Sequence, residues 1–345
     1  MMGRDGETPE AEAGAAAEPQ AEPAAPPPRP RPAGPAAAVL GSVVMELSAE
    51  APALPSAGEV RAGTGFRTEA AGGGARQAAQ LARAGAPVDL IARIGRDDFG
   101  DALHSALSAT GAGLSQLHHD PEATTGVTLV HASGAARSAL RVGGAADALS
   151  LADVEAATSR IEAAAALLLQ LELPVGISTR AAEIAAEAGA DVVLNASPAP
   201  ADPGDVPAAL WQAVSVLAVN RAEAGQLLGR AVTGEDAATA AAELGQGLGV
   251  GTVLLTLGAE GAVAWSAGTA LFQPAFEVAE VVDPRGAGDA FLGAFCAAGL
   301  AGDDISGALR RGAAAGALAV GRAGAFDALP TAAEIDAFLT ERAGG

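Results

Sequence analysis

Short apolar runs alternate with longer amphipathic, Ala-rich segments along most of this chain. The runs VLGSVV (39–44), VDLIARIG (88–95), ALLLQLEL (166–173), DVVLNAS (191–197), VSVLAVN (214–220) and TVLLTLG (252–258) have strand length. Apolar on both faces, they predict strands buried on both sides. Helical periodicity predicts helices near 74–84, 97–110, 151–163, 177–188, 221–228, 235–247, 286–300, 303–322 and 332–342. Strand followed by helix, repeated, implies right-handed crossovers and a mostly parallel central sheet between helical layers. The expected fold is a three-layer α/β/α domain.

Two regions break that rhythm. Residues 45–70 and 122–142, the latter containing TTGVTLVHASGAARSALRV, carry β-type patterns with no helix between. They predict a small β-sheet laid over the strand ends, where open α/β folds bind ligands, so that it acts as a lid. Polar residues stand at or just past several strand ends: Glu172, Asn195 and Asn220, with Gly258 closing another run. Each alone could be a turn former; together at one edge they indicate a polar site.

Composition narrows the class. With 345 residues, 50% hydrophobic and 18% charged, the chain can bury one large core. No unbroken apolar run reaches membrane-span length. Residues 1–35 are acidic and Pro/Ala-rich without the apolar centre of a signal peptide, so a disordered tail precedes an expected domain over 36–345. A single cysteine, Cys296, excludes an internal disulfide and fits a reducing cytoplasm. The formal charge of −21 argues against nucleic acid but leaves nucleotides open, since backbone amides and one or two cations hold those. Lysine and tyrosine are absent, a bias of GC-rich coding, so the Ala-rich segments say little about function.

The candidate chemistry lies in DPRGAGD (283–289). Gly286, Ala287 and Gly288 let backbone approach a ligand closely, and the helix that follows aims its positive end at the same spot. This is an anion hole suited to the charge on a transferring phosphoryl group, and Asp289 beside it could accept a proton from an attacking hydroxyl. A Gly-rich turn with a first-turn Asp is the alternative. NRAE (220–223) closes one strand and opens a helix, placing Asn220 and Glu223 one turn apart as hard oxygen ligands for Mg²⁺ or, alternatively, as helix-start residues. There is no P-loop, no dinucleotide fingerprint (AAGGGAR, 70–76, does not follow a good strand) and no Gly-x-Ser-x-Gly elbow. The four histidines show no zinc-ligand spacing, and His118 and His119 are expected in a solvated loop.

The chain resembles the ribokinase-like, PfkB-type family of sugar and nucleoside kinases over residues 38–342. The resemblance is carried by VLGS (39–42), AGGGARQA (71–78), IGRDDFG (94–100), TTGVTLV (124–130) and LLLQLE (167–172). Further along it rests on VLNASPAP (193–200), NRAEA (220–224), VLLTLGAEGAV (253–263), DPRGAGDAFLGAF (283–295) and ALAVGRAGAFDALPTAAEIDAFL (317–339). It implies transfer of the ATP γ-phosphate to a primary hydroxyl of a small sugar, ribose by default, with Asp289 as base and Gly286, Ala287 and Gly288 as anion hole. It implies that Asn220 and Glu223 organise Mg²⁺ and phosphates, and that Asn220, Thr256, Leu257, Gly258, Gly261 and Ala313 bind the nucleotide. Glu46, Gly72, Gly73, Arg76, Glu172 and Asp289 would face the sugar. A K⁺-type cation would sit under the anion hole at Asp283, the Arg285 carbonyl, Gly324 and Ala328, strengthening it electrostatically. The lid implies a homodimer, with the apolar strand ends near 127–130 at the contact.

The departures fall on the sugar side. The family's Asn and Asp after the first strand are Val44 and Glu46 here, its Lys and Asn in the Gly-rich loop are Gly73 and Arg76, and a Thr is Pro284. A lost hydrogen bond to a sugar hydroxyl costs about 0.5–1.5 kcal/mol. Another pentose, a ketohexose or a nucleoside therefore stays open as acceptor, as does a relative that binds without turnover.

Overall fold

Along β1 (Ala37–Leu40), Ala38 and Leu40 enter one hydrophobic cluster while Ala37 and Val39 enter another. The same alternation recurs in β8 (Ala166–Gln170), where Leu167 and Leu169 face one side and Ala166 and Leu168 the other. Successive side chains of a strand point to opposite faces, so a strand feeding two cores must lie between two helical layers. The computed structural model describes residues 36–342 except 135 and 325, and the tail expected over 1–35 lies outside them.

The remaining strands are β2 (Val44–Glu50), β3 (Gly65–Ala71), β4 (Val88–Gly95), β5 (Gly113–Asp120), β6 (Gly126–Ser133) and β7 (Ala136–Val142). They are followed, beyond β8, by β9 (Asp191–Asn195), β10 (Val216–Asn220), β11 (Thr252–Thr256), β12 (Gly261–Ser266) and β13 (Thr269–Pro274). Nine of them form the main sheet in the order β13-β12-β11-β10-β9-β8-β1-β4-β5, parallel from β11 through to β5. Only β12 and β13 run antiparallel, as a hairpin on one edge. The helices Val175–Glu187 and Ala237–Leu248 cover one face through Ala181, Ile184, Ala240 and Leu244. Gly73–Arg83, Ala287–Ala301 and Ile305–Val320 cover the other through Leu81, Phe291, Leu292 and Leu309. This is the expected three-layer α/β/α fold.

The two irregular regions form a separate four-stranded sheet, β3-β2-β6-β7. Its root is tied to the main sheet by IGRDDFG and TTGVTLV together. Asp97 caps the helix Asp98–Ser108 through the Gly100 N–H at 2.9 Å and accepts from the Thr125 N–H at 2.7 Å and hydroxyl at 2.6 Å. The Thr125 hydroxyl in turn accepts from the Gly95 N–H at 2.9 Å.

Some expectations need correction. The run 39–44 is not one strand: β1 stops at Leu40, and the chain turns through Gly41–Val43 into lid strand β2. Gly41 marks the break because a Cβ there would run into Gln170 Oε1 and lie 2.6 Å from the Gly74 backbone. The run 166–173 ends as a strand at Gln170, and the helix expected over 151–163 is two, Leu151–Ala156 and Thr158–Ala163. His118 and His119 are not in a solvated loop but in β5, half-buried and in register with Arg93 and Ile94 of β4. The Gly-rich AAGGGAR does follow a strand, the lid strand β3, and opens the helix Gly73–Arg83. The β12–β13 hairpin was not expected because an antiparallel edge needs no crossover helix to announce it. Among the described residues no helix is long and apolar enough to cross a membrane.

Candidate active site

The parallel strands deliver their carboxyl ends to one edge. Asn220 and Thr256 pair in register at the ends of β10 and β11, and Glu172 follows β8 by two residues. Into this edge points the helix Ala287–Ala301. Its N-cap, Gly286, sits at φ 74°, a left-handed conformation costly for any residue with a Cβ, and donates no side-chain cap. The first-turn N–H groups therefore have no side-chain acceptor from the cap and remain available to an anion.

Asp289 lies in that first turn, half-buried. Gln77 Nε2 donates to Asp289 Oδ1 at 2.9 Å, and Gln77 Oε1 accepts from Gln170 Nε2 at 2.7 Å. Gln77 and Gln170 are both buried, so this relay fixes the carboxylate from below. Burial pushes the Asp289 carboxyl up to about 6, with Arg76 and the Gln77 hydrogen bond opposing and Glu172 and Glu223 adding to the rise. A carboxylate poised near neutrality, beside free amides, can take a proton from a hydroxyl.

On the lid side, Glu172 accepts from the Gly73 N–H at 3.2 Å and from the Ser42 hydroxyl, pinning the start of the helix Gly73–Arg83. A Cβ at Gly73 would lie 2.9 Å from Glu172 Oε1, so the missing side chain makes room for this carboxylate. Gly72, the N-cap, packs its backbone directly on the Ser42 carbonyl. Arg76, one turn in, reaches Glu46 of β2 at 3.7 Å and passes beside Gly286. Arg76 and Gln77 of this one helix thus meet Glu46 and Asp289, and its first amide meets Glu172.

Arg285 is less expected. Its Nε donates to both Asp283 oxygens, at 2.9 and 3.0 Å, and its Nη2 to Asp283 Oδ2 at 2.5 Å. The same guanidinium reaches the lid, pairing with Glu46 through Nη1 and with Glu69 through Nη2 at 3.1 Å. Burial draws its pKa down from the ordinary guanidinium range, yet among three carboxylates it stays protonated. Of the positions expected to hold a monovalent cation, Asp283 is thus occupied by the side chain two residues on. Ala323 shares a hollow with Asp283, while Gly324 and Ala328 continue the same segment, Ala328 buried.

Beside the start of the helix Ala287–Ala301 lies a cavity of about 530 Å³. Thr256, Gly258, Gly261 and Ala313 line it together with Ala287 and Gly288, so it opens directly onto the helix start. Phe276, Val278, Val281 and Val320 complete an apolar slot. Leu257 is buried, its N–H bound to the Gly261 carbonyl at 2.8 Å, and shapes the wall from behind. Asn220 and Glu223 form a reciprocal capping box: Asn220 Oδ1 accepts from the Glu223 N–H at 3.0 Å, and Glu223 Oε2 from the Asn220 N–H at 2.8 Å.

Gln77, Gln170, Ser42, Glu69 and the Arg285 side chain were not singled out from the sequence. Gln77 and Gln170 carried a usable signal: a glutamine inside an otherwise apolar buried run needs a partner.

An uncapped helix start bearing Asp289, with an apolar cavity on one side and the charged cluster of the lid on the other, fits a kinase of small hydroxyl compounds. The chain belongs to the pfkB family of carbohydrate kinases, whose model matches residues 35–332. The ribokinase of Haemophilus influenzae is 32% identical over 302 residues, covering 87% of this chain and 97% of that one. A deoxyribokinase of Salmonella typhi is 27% identical over 304 residues, covering 88% and 98%. The structure of Arabidopsis thaliana ribokinase complexed with ribose and ATP superposes with a TM-score of 0.80 at 30% identity, covering 89% of this chain and 99% of that one.

Proposed function

We propose that this protein is an ATP-dependent sugar kinase that transfers the γ-phosphoryl group to a primary hydroxyl of a small sugar, ribose by default. The observation that carries the reading is Asp289 in the uncapped first turn of Ala287–Ala301, next to Ala287 and Gly288, which line the cavity. Adenine fills the apolar slot, and the phosphates extend toward Gly286, Ala287 and Gly288. Asp289 takes the proton of the sugar hydroxyl, whose oxygen forms the new bond to γ-phosphorus. The bond to the β,γ-bridging oxygen breaks and ADP leaves. The amides meet the charge on the transferring group. Glu223 keeps one carboxylate oxygen outside its capping bond, which suits Mg²⁺ held through waters; when bound, the ion supplies charge neutralisation to the ATP phosphates.

A second acceptor class has its own support. Glu46 is engaged by Arg76 and Arg285, and Gly73 offers no side chain, so the sugar meets a different wall from the family's Asn, Asp and Lys. Another pentose, a ketohexose or a nucleoside would read that wall differently. Screening ribose, deoxyribose, ketohexoses and nucleosides for acceptor-dependent ADP release tests both readings. Ribose turnover supports the first and preference for another acceptor the second. Saturable ATP binding with no turnover on any acceptor would overturn catalysis itself.

The outer face of the lid supports a homodimer. Phe66, Leu129, Leu140 and Val142 share it by register, and Phe66, Leu140 and Val142 are strongly exposed. A monomer by light scattering would remove that part of the reading. A single buried cysteine fits a protein working in the cytoplasm.

A further inference from the structure

A monovalent cation beneath an anion hole works by charge and position. It neutralises a loop carboxylate, holds the loop in shape and lends positive potential to the amides above. The residues here do not fit such an ion. Both oxygens of Asp283, the anionic member of the expected set, already accept from Arg285: Nε lies 2.9 Å from Oδ1 and 3.0 Å from Oδ2, and Nη2 lies 2.5 Å from Oδ2. The Arg285 backbone N–H adds a further bond to Oδ1 at 3.0 Å, and Arg137 approaches the same oxygen at 3.9 Å. An ion inserted here would meet a guanidinium already bonded to its main ligand.

That guanidinium has what the ion would bring. It carries one positive charge, sits one residue before the anion hole and faces the carboxylate through both oxygens. It differs in being covalently part of the loop, so no association step is needed to put it there. Its remaining N–H groups run to Glu46 and Glu69 on the lid, which anchors it from the opposite side.

We propose that the Arg285 guanidinium takes the place of the family's monovalent cation, so that phosphoryl transfer by this protein is indifferent to K⁺. Arg285 is a positioning residue: it acts through Asp283 and the loop.

The test compares KCl with choline chloride at equal ionic strength. Its activity arm rests on the kinase reading above, whereas its melting arm does not, so the two can fail separately. For the unaltered protein the rate should agree within about twofold between the salts, and the melting midpoint within about 1 °C, because an ion that does not bind adds nothing to stability. Arg285→Ala should lose about 10²-fold in rate in choline chloride and regain at least about tenfold on adding K⁺ or millimolar guanidinium, with a K⁺-dependent rise in melting midpoint. Arg285→Lys, which keeps the charge, should remain indifferent to K⁺. The proposal is overturned if K⁺ raises the rate of the unaltered protein about tenfold or more, or raises its melting midpoint by several degrees. It is overturned equally by a folded Arg285→Ala that neither K⁺ nor guanidinium restores. Should that variant not fold, the two measurements on the unaltered protein decide alone.

Discussion

Glu46 and Glu69 stand directly opposite each other on adjacent antiparallel strands of the lid, and Arg285 donates to both. Like charges in that relation destabilise a strand pair, and a guanidinium from the anion-hole loop turns them into a link between lid and loop. Glu46 is buried and also meets Arg76, and under the proposed function it belongs to the acceptor-facing wall. Glu46→Ala should raise the acceptor KM about tenfold or more while the ATP KM stays within about twofold. An unchanged acceptor KM would take Glu46 off the sugar side.

Asp289→Asn keeps the shape of the base and removes its proton affinity. Turnover should fall by about 10²–10⁴-fold, with ATP binding by calorimetry nearly unchanged. Stability should move the other way. Because the folded carboxyl holds its proton up to about 6, above its unfolded value, the stability tied to the protonated form is present at low pH and lost as pH rises through about 6. The asparagine variant should therefore melt higher than the parent at pH 8 and nearly level with it at pH 4. The opposite order would contradict the burial of this charge.

The pH profile follows from the same group. The base must be ionised, so kcat/KM should fall about tenfold per pH unit below about 6. Gln77 donates to the charged form, which holds the pKa down. Gln77→Leu should move the acid limb to higher pH and lower the plateau. A profile flat from pH 5 to 8 would exclude Asp289 as the titrating base.

Filling the apolar cavity should separate the two substrates under the proposed function. Ala313→Phe places a ring in the cavity lined by Thr256, Gly258 and Gly261. The ATP KM should rise about tenfold or more and the acceptor KM should hold. A variant with unaltered ATP kinetics would move the adenine elsewhere.

How far the sequence could be read depends on what each segment buries. β4 (Val88–Gly95) and the helix Arg221–Leu228 fall at the expected bounds, the first apolar toward both layers, the second opened by a capping box. β5 was missed because an edge strand packs on fewer sides and tolerates GLSQLHHD, whose polar residues mimic a loop. The helix start around Gly286 and Asp289 was legible because backbone geometry there is a local matter. The Arg285 contact was not: its side chain meets a glutamate 239 positions earlier. Such a contact exists only once lid and loop have come together.

The relay beneath Asp289 has a last consequence. Gln170 and Gln77 are 93 positions apart, and Gln77 and Asp289 are 212 apart. They arrive from a central strand and from two separate helices of one layer. A chain with its helices formed but those pieces undocked would look nearly native in a measure of helix content, yet its carboxylate would be unmoored. Turnover is thus a stricter gauge of complete assembly than any spectrum of the backbone, and during unfolding it should vanish first.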